Sequence, residues 1–158
     1  MTAPELREEW LLVHIAGVLV FVLAHGVSAG VGLRLRKERE PGRIDALLQL
    51  SSTALRWMYL GLLLLLAGGI LSGFVIKAWR HAWIWVALGT LVTEMIAMYV
   101  IATRYYQRVR KVLQMRLGAE SATEDVASVM SSTRPIVLAV VGYAGLFFIA
   151  YLMVFKPF

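Results

Sequence analysis

The chain has 158 residues, of which 59% are hydrophobic and only 16% are charged, and this composition excludes an ordinary soluble domain. Its formal net charge is +6, but the cations are concentrated between apolar runs, which favours binding to anionic lipid headgroups over nucleic acid. The absence of cysteine excludes disulfides, thiolate metal sites, iron–sulfur clusters and covalently attached haem.

Four apolar runs are each long enough to cross a bilayer, since a helix needs about 20 residues to span the hydrocarbon core. The four runs cover residues 10–33, 57–76, 82–103 and 135–155. The acidic N-terminal segment, with Glu5, Glu8 and Glu9, is unlike the basic start of a cleavable signal peptide, so the first run is predicted to remain as a span. The sequence therefore predicts a single all-α domain, an antiparallel four-helix bundle in the membrane.

Two basic loops, at about residues 34–56 and 104–134, connect these predicted spans. Twelve of the 16 Lys and Arg residues lie in or beside them: Arg34, Arg36, Lys37, Arg39, Arg43, Arg56, Arg104, Arg108, Arg110, Lys111, Arg116 and Arg134. The positive-inside rule places both loops in the cytoplasm and both termini on the non-cytoplasmic side. We therefore expect a multi-pass protein of a bacterial inner membrane.

Local signals predict further helices inside the loops. The Pro41-Gly42 pair breaks the chain, after which Arg43 to Ser52 has a helical pattern that continues into the second span. In the second loop, an amphipathic continuation of the third span is predicted up to Gly118. Residues 121–124 then match a capping box for a short helix.

Glycines spaced four residues apart predict close helix packing. Gly26 and Gly30 form such a pair in the first span, and Gly69 and Gly73 form one in the second. These pairs favour ordinary packing within the bundle over a dedicated dimer interface.

Glu94 is the one acidic residue inside a predicted span. A carboxyl group at this depth costs about 2.5–3.5 kcal/mol on insertion scales. It is therefore expected to face the interior of the bundle, either as a protonated group hydrogen-bonded between helices or as a proton or ligand site.

Two histidines of the first span, His14 and His25, project from one helix face about 16 Å apart. Counting residues from the cytoplasmic ends places His25, Glu94 and Tyr143 at a similar depth, about 12–14 Å, which predicts a buried polar, proton-handling cluster. His14 and His81 both fall near the outer edge, where they could pair as axial ligands of a b-type haem or form part of a metal site. Each histidine could instead have a purely structural role, as an interhelical hydrogen-bonding group or, for His81, as a water-exposed interfacial anchor.

The segment Leu-Leu-Val-His14-Ile-Ala-Gly resembles the opening of CopD-like bacterial membrane proteins and of a related uncharacterised family with four predicted spans. The stretches around His25 and from Met153 to Phe158 extend this resemblance over nearly the whole chain. It implies a link to copper uptake or, by analogy with HemJ-like protoporphyrinogen oxidases, haem binding through His14. The Trp83-Ile-Trp85 sequence after His81 departs from the pattern of those oxidases, which also has a lysine inside the third span.

Three functions are compatible with these features, and no catalytic motif of known mechanism is present in the sequence. The preferred prediction is a haem-b-binding or redox-associated membrane protein, with enzymatic activity disfavoured but left open. The second is an accessory or structural subunit, as a homo-oligomer or within a larger membrane complex. The third is permeation of a metal ion or a proton past His25 and Glu94. No metal-ligand set is predicted.

Overall fold

Four long helices make up nearly all of the computed structural model, which describes residues 3–117, 129 and 131–157. These are α1 (Ala3–Leu35), α2 (Pro41–Val75), α3 (Ala82–Leu117) and α4 (Arg134–Phe155), with a short 3₁₀ turn at Ala78–Arg80. The described residues form no strand. The prediction of an all-α protein is confirmed.

Each of the four helices is long and apolar enough to cross a membrane. Few residues of these segments are buried within the chain, and large apolar side chains face outward along all four helices, with Leu23 70% and Phe147 75% exposed. Such surfaces require a hydrocarbon solvent, in which every backbone polar group is satisfied inside a helix. The chain is therefore a four-span membrane protein.

The helix boundaries follow local sequence signals. Pro41 opens α2, where its missing N–H leaves no hydrogen bond unmade. From there α2 runs without a break through residues 43–52 into the apolar run, as the pattern predicted. Lys77 and Lys156 adopt left-handed conformations with φ of 55° and 44°, which end α2 and α4. The predicted capping box at residues 121–124 lies outside the described residues.

One end of the bundle, at which α1 ends and α2 begins, carries the cluster of cations predicted for the first loop; we call it the basic end. A hydrophobic core lies just inside it, and its buried members come from α1, α2 and α3: Val31, Leu35, Ile44, Leu48, Tyr105, Val109, Val112 and Leu113. This core ties the three helices together.

The helices are not equally close to one another. The α1–α2 interface is the most extensive and the α3–α4 interface is the next, whereas α1 touches α4 over a smaller area. Helices α2 and α3 make few contacts although they are consecutive in the chain. The bundle is therefore tight on its α1–α2 side and open between α2 and α3.

The close approach of α1 and α2 depends on glycines other than the predicted pairs. A Cβ atom at Gly17 would collide with the backbone N of Leu65, and one at Gly61 would lie 2.6 Å from the backbone N of Phe21. A Cβ at Gly68 would likewise collide with the backbone N of His14. Backbones this close require residues without a side chain.

The predicted pairs, Gly26 with Gly30 and Gly69 with Gly73, are not the sites at which two backbones approach each other. Gly30 has nothing within 4 Å of its Cβ position, and Gly26 faces the Tyr143 hydroxyl at 3.3 Å. Gly69 and Gly73 make room for the side chains of His14 and Trp79 rather than for another backbone. A spacing of four places two glycines on one face, but it does not specify which neighbour that face meets.

Candidate functional site: an intramembrane cavity with His25 and Glu94

A cavity of about 290 Å³ lies between the helices, with its largest contribution from α2 and α3, which barely touch. Apolar side chains provide most of its wall. The lining extends to Gln107 and Arg110 at the basic end. In the other direction it ends at Phe21 and Leu91, which are buried, and at Tyr59, which is half exposed. The cavity is thus an elongated cleft that reaches the basic end of the bundle.

His25 lies in this lining and is only 3% exposed. Its ring stacks on Phe21 at a centroid distance of 6.5 Å and meets the edge of Tyr143 at 5.3 Å. The absence of a side chain at Gly142 of α4 makes room for the imidazole, since a Cβ there would collide with Nε2. Nε2 is buried and has no hydrogen-bond partner. A buried nitrogen without a partner is costly, so this position requires an explanation.

Glu94 projects from α3 into the same cavity. Its Oε2 atom is buried without a partner and fits against Gly145 of α4, where a Cβ would collide with it. Gly142 and Gly145 are three residues apart, so they lie about 4.5 Å apart along the axis of α4, on the same side. Helix α4 therefore holds the imidazole from α1 and the carboxyl from α3 in neighbouring notches.

Of the predicted polar cluster, the structure brings His25 and Glu94 to one cavity and places Tyr143 against His25. Tyr143 itself is 38% exposed, and its contact with the histidine is through the ring edge. The tyrosine therefore packs against His25 and is not part of the cavity lining. The proton-handling role of these three residues stays a prediction.

His14 has a different environment, at the α1–α2 interface. Its Nδ1 lies 2.7 Å from the carbonyl oxygen of Leu65, and its ring fits against Gly69. This hydrogen bond assigns the proton to Nδ1, because a carbonyl can only accept. The imidazole is therefore held in one orientation, with Nε2 as the nitrogen that has a free lone pair.

His81 is exposed at the start of α3 and borders a separate depression with Ile76, Ala78, Trp83 and Lys156. The ammonium group of Lys156 lies 5.7 Å from the Trp83 ring centroid, a cation–π contact at this edge of the bundle. Neither this depression nor the main cavity is lined by both His14 and His81. The predicted pairing of these two histidines stays a prediction.

The basic end of the cavity contains polar groups that the sequence interpretation did not single out. Tyr105 is 1% exposed, lines the cavity and has a hydroxyl group without a hydrogen-bond partner. Arg110 donates a hydrogen bond of 2.9 Å to Ser52 of α2, and Tyr106 donates one of 3.4 Å to the carbonyl of Ser28. The signal in the sequence that could have found them is the Tyr105-Tyr106 pair one turn before a basic run, although such a pair is also typical of a membrane interface.

Among residues 3–117, 129 and 131–157, no three His, Asp or Glu side chains come together as a metal site. The fold and the site define a four-span membrane protein with an ionisable pair in a cleft between its helices. No protein-family model, curated protein or solved structure matches the chain. The resemblance to CopD-like proteins therefore stays a prediction.

Proposed function

We propose that this protein takes up and releases protons inside the membrane, with His25 and Glu94 as the groups that carry them. The observation behind this proposal is that both ionisable side chains line one cavity at membrane depth and that each has a buried polar atom without a partner. An ionised carboxylate without a partner is expensive to bury, so Glu94 carries its proton at rest. A purely structural pair would be expected to satisfy its own hydrogen bonds.

The shape of the cavity favours exchange on one side of the membrane over permeation straight through it. Ser51, Ser52, Thr103 and Gln107 provide polar groups on the way to the basic end. In the opposite direction the lining ends at the buried side chains of Phe21 and Leu91 and at Tyr59, and the polar side chains lie toward the basic end. Protons therefore reach the pair from the basic end.

The distribution of the cations gives the protein an orientation in the membrane. Cations concentrate at the basic end, and the positive-inside rule assigns that end to the cytoplasm and the termini to the other side of a bacterial inner membrane. Exposed arginines there bind anionic headgroups. The pair would then exchange protons with the cytoplasm.

Dicyclohexylcarbodiimide, a lipid-soluble reagent that adds to protonated carboxyl groups, tests this function directly. The purified chain in sealed vesicles should gain one adduct at Glu94, detected by intact mass, and adduct formation should fall as the pH rises on the basic side only. Glu94→Gln should abolish the adduct and Glu8→Gln, near the start of α1, should retain it. His25→Asn should shift the pH dependence of adduct formation, because asparagine cannot take up a proton and become positively charged beside the carboxyl group.

Two outcomes contradict the proposal. One is a wild-type chain that stays unlabelled, or an adduct that persists in Glu94→Gln. The other is a rate of adduct formation that stays constant as the pH rises from the range in which carboxyl groups ordinarily titrate to the range in which histidines do. A carboxyl group with such a constant rate would exchange no proton.

A second candidate function, haem binding, is favoured by the orientation of His14. Histidines that bind a metal usually donate their other ring nitrogen to a carbonyl or carboxylate, and the Leu65 carbonyl takes that role for Nδ1. His14 would hold the iron of a b-type haem through Nε2, and the haem would supply one-electron chemistry. The exposed position of His81 provides no comparable support for it as the second ligand.

An absorption spectrum of the purified protein, oxidised and then reduced with dithionite, tests this candidate. Reduced b-type bands in near-stoichiometric amount should be lost in His14→Ala and retained in His81→Ala if His14 alone is essential. A colourless wild-type preparation made with ample haem supply contradicts haem binding and leaves the proton site unaffected.

A further inference from the structure

We propose that the cavity binds one chain of an anionic phospholipid from its basic end, with the lipid phosphate at Arg110 and Tyr105. The binding itself is independent of the proposed proton function. Its consequence for proton access, described below, rests on that function.

The cavity has the shape of a binding site for a single hydrocarbon chain. Its lining on α3 extends from Leu91 to Arg110, which corresponds to about 28 Å along the helix axis. A volume of about 290 Å³ spread over this length makes a narrow cleft. Its wall is provided mainly by flexible and aliphatic side chains, among them Leu55, Met58, Met95, Met98 and Leu138. Methionine adapts readily to a chain of variable conformation.

The entrance at the basic end has hydrogen-bond donors without acceptors. Arg110 gives one hydrogen bond to Ser52 and is exposed, so its guanidinium has further N–H groups to offer. Tyr105 also lines the cavity, and its hydroxyl is buried without a partner. Phosphate oxygens are strong acceptors for such donors.

No acidic side chain competes for Arg110 among the described residues that line the cavity, apart from Glu94. Glu94 is 16 residues away on the same helix, or about 24 Å along its axis. The charge at the entrance is therefore left for a ligand, and an anionic lipid complements it better than a zwitterionic one.

The part of the cleft between Arg110 and a point just short of Glu94 also matches the length of one leaflet. The hydrocarbon core is about 30 Å thick and each interfacial layer adds about 5–7 Å, so a lipid with its phosphate at Arg110 reaches about 20 Å inward. That length ends just short of Glu94. A bound chain would then separate His25 and Glu94 from water at the basic end, so lipid occupancy would regulate proton exchange by the pair.

Native mass spectrometry of the full chain, released from bilayer discs of equal phosphatidylglycerol and phosphatidylcholine, measures the binding. The wild type should retain one phosphatidylglycerol. Arg110→Gln should lower that retention at least fivefold, whereas Arg108→Gln, an exposed neighbour outside the cavity lining, should leave it unchanged. Tyr105→Phe should give an intermediate loss.

Three results would overturn the site. They are equal retention of the two lipids, equal loss in the Arg108 and Arg110 variants, and release of the lipid by excess inorganic phosphate, which would identify a headgroup-only anion site. Glu94→Gln should retain the lipid while losing the carbodiimide adduct, so failure of the lipid site is distinguishable from failure of the proton site.

Discussion

The α1–α2 interface and the α2–α3 interface of this bundle differ in how close their backbones come. At the first, Gly17, Gly61 and Gly68 allow backbone to approach backbone. At the second, the facing side chains include Met58, Tyr99 and other large residues, and the helices make few contacts. Both interfaces include α2. The difference in backbone distance therefore comes from the partner helix, α1 or α3, and from the face of α2 that meets it.

This difference explains where the candidate site lies. Without a hydrophobic driving force between helices in lipid, close packing of small residues is a main source of stability. A glycine interface leaves no space for chemistry, whereas an interface held apart by large side chains leaves a cleft. The close α1–α2 interface thus holds α1 in place, and His25 projects from α1 into the cleft.

Gly68→Ala should produce the largest effect, a loss of about 3 kcal/mol or more in the free energy of unfolding. The added methyl group meets the backbone of α1 at His14, which cannot rotate away as a side chain can. Reversible unfolding in mixed detergent micelles measures it. Gly30→Ala is the matched control, because its Cβ position is open, and it should be neutral or slightly stabilising. If Gly68→Ala lowered the free energy of unfolding no more than Gly30→Ala does, the two backbones would not be in contact at Gly68.

Gly145→Ala should cost less, about 1–3 kcal/mol, because the methyl group meets the movable side chain of Glu94 rather than a backbone. The displaced carboxyl should also react with carbodiimide at a changed rate, a readout that a purely structural defect would not move selectively. Gly89→Ala, with open space at its Cβ position, is the control. An unchanged labelling rate in Gly145→Ala would mean that the α4 notch does not position Glu94.

Glu94→Gln should change the free energy of unfolding by less than about 1 kcal/mol, because a neutral amide replaces a neutral carboxylic acid of the same shape. Thermal or micellar unfolding at neutral pH checks this. A large stabilisation would instead indicate that the wild-type residue is buried as an unpaired carboxylate, which the substitution relieves.

Substitution of Glu38, in the loop between α1 and α2, should have the smallest effect on stability. This effect should depend on pH and change only at acidic pH. The backbone N–H groups of Arg39 and Glu40 donate to its Oε1 and lower the pKa of this carboxyl below its ordinary value. A lowered folded-state pKa stabilises the fold fully above the ordinary pKa, and this stabilisation is lost as the pH falls through the folded-state value. The stability of Glu38→Gln should therefore depend less on pH in this acidic range, and identical pH profiles of the two chains would contradict the loop geometry.

The agreement between sequence and structure is best where the signal is local. The four apolar runs, the helix start at Pro41 and the continuous α2 could each be derived from a short window, because length and backbone chemistry act along the chain. Glu94 also stood out from sequence alone, since a carboxyl group within an apolar run has few inexpensive environments.

The features that the sequence left open depend on how the helices rotate and which ones become neighbours. Gly17, Gly61 and Gly68 are indistinguishable in the sequence from Gly26 and Gly30, and Tyr105 has the sequence context of any aromatic residue at a membrane interface. Whether a residue meets a backbone, a ring or a cavity is decided by its rotation about the helix axis relative to a partner distant in sequence, which no periodicity encodes.

By itself, then, the sequence determined that the chain forms four membrane-spanning helices and that its polar groups at membrane depth are the places to look for function. Only the tertiary structure decided that His25 and Glu94 share a cleft, that His14 is oriented by the Leu65 carbonyl instead, and that the cleft ends at Arg110. The physical reason is that partitioning into hydrocarbon is a property of each segment, whereas a site is a property of contacts between segments.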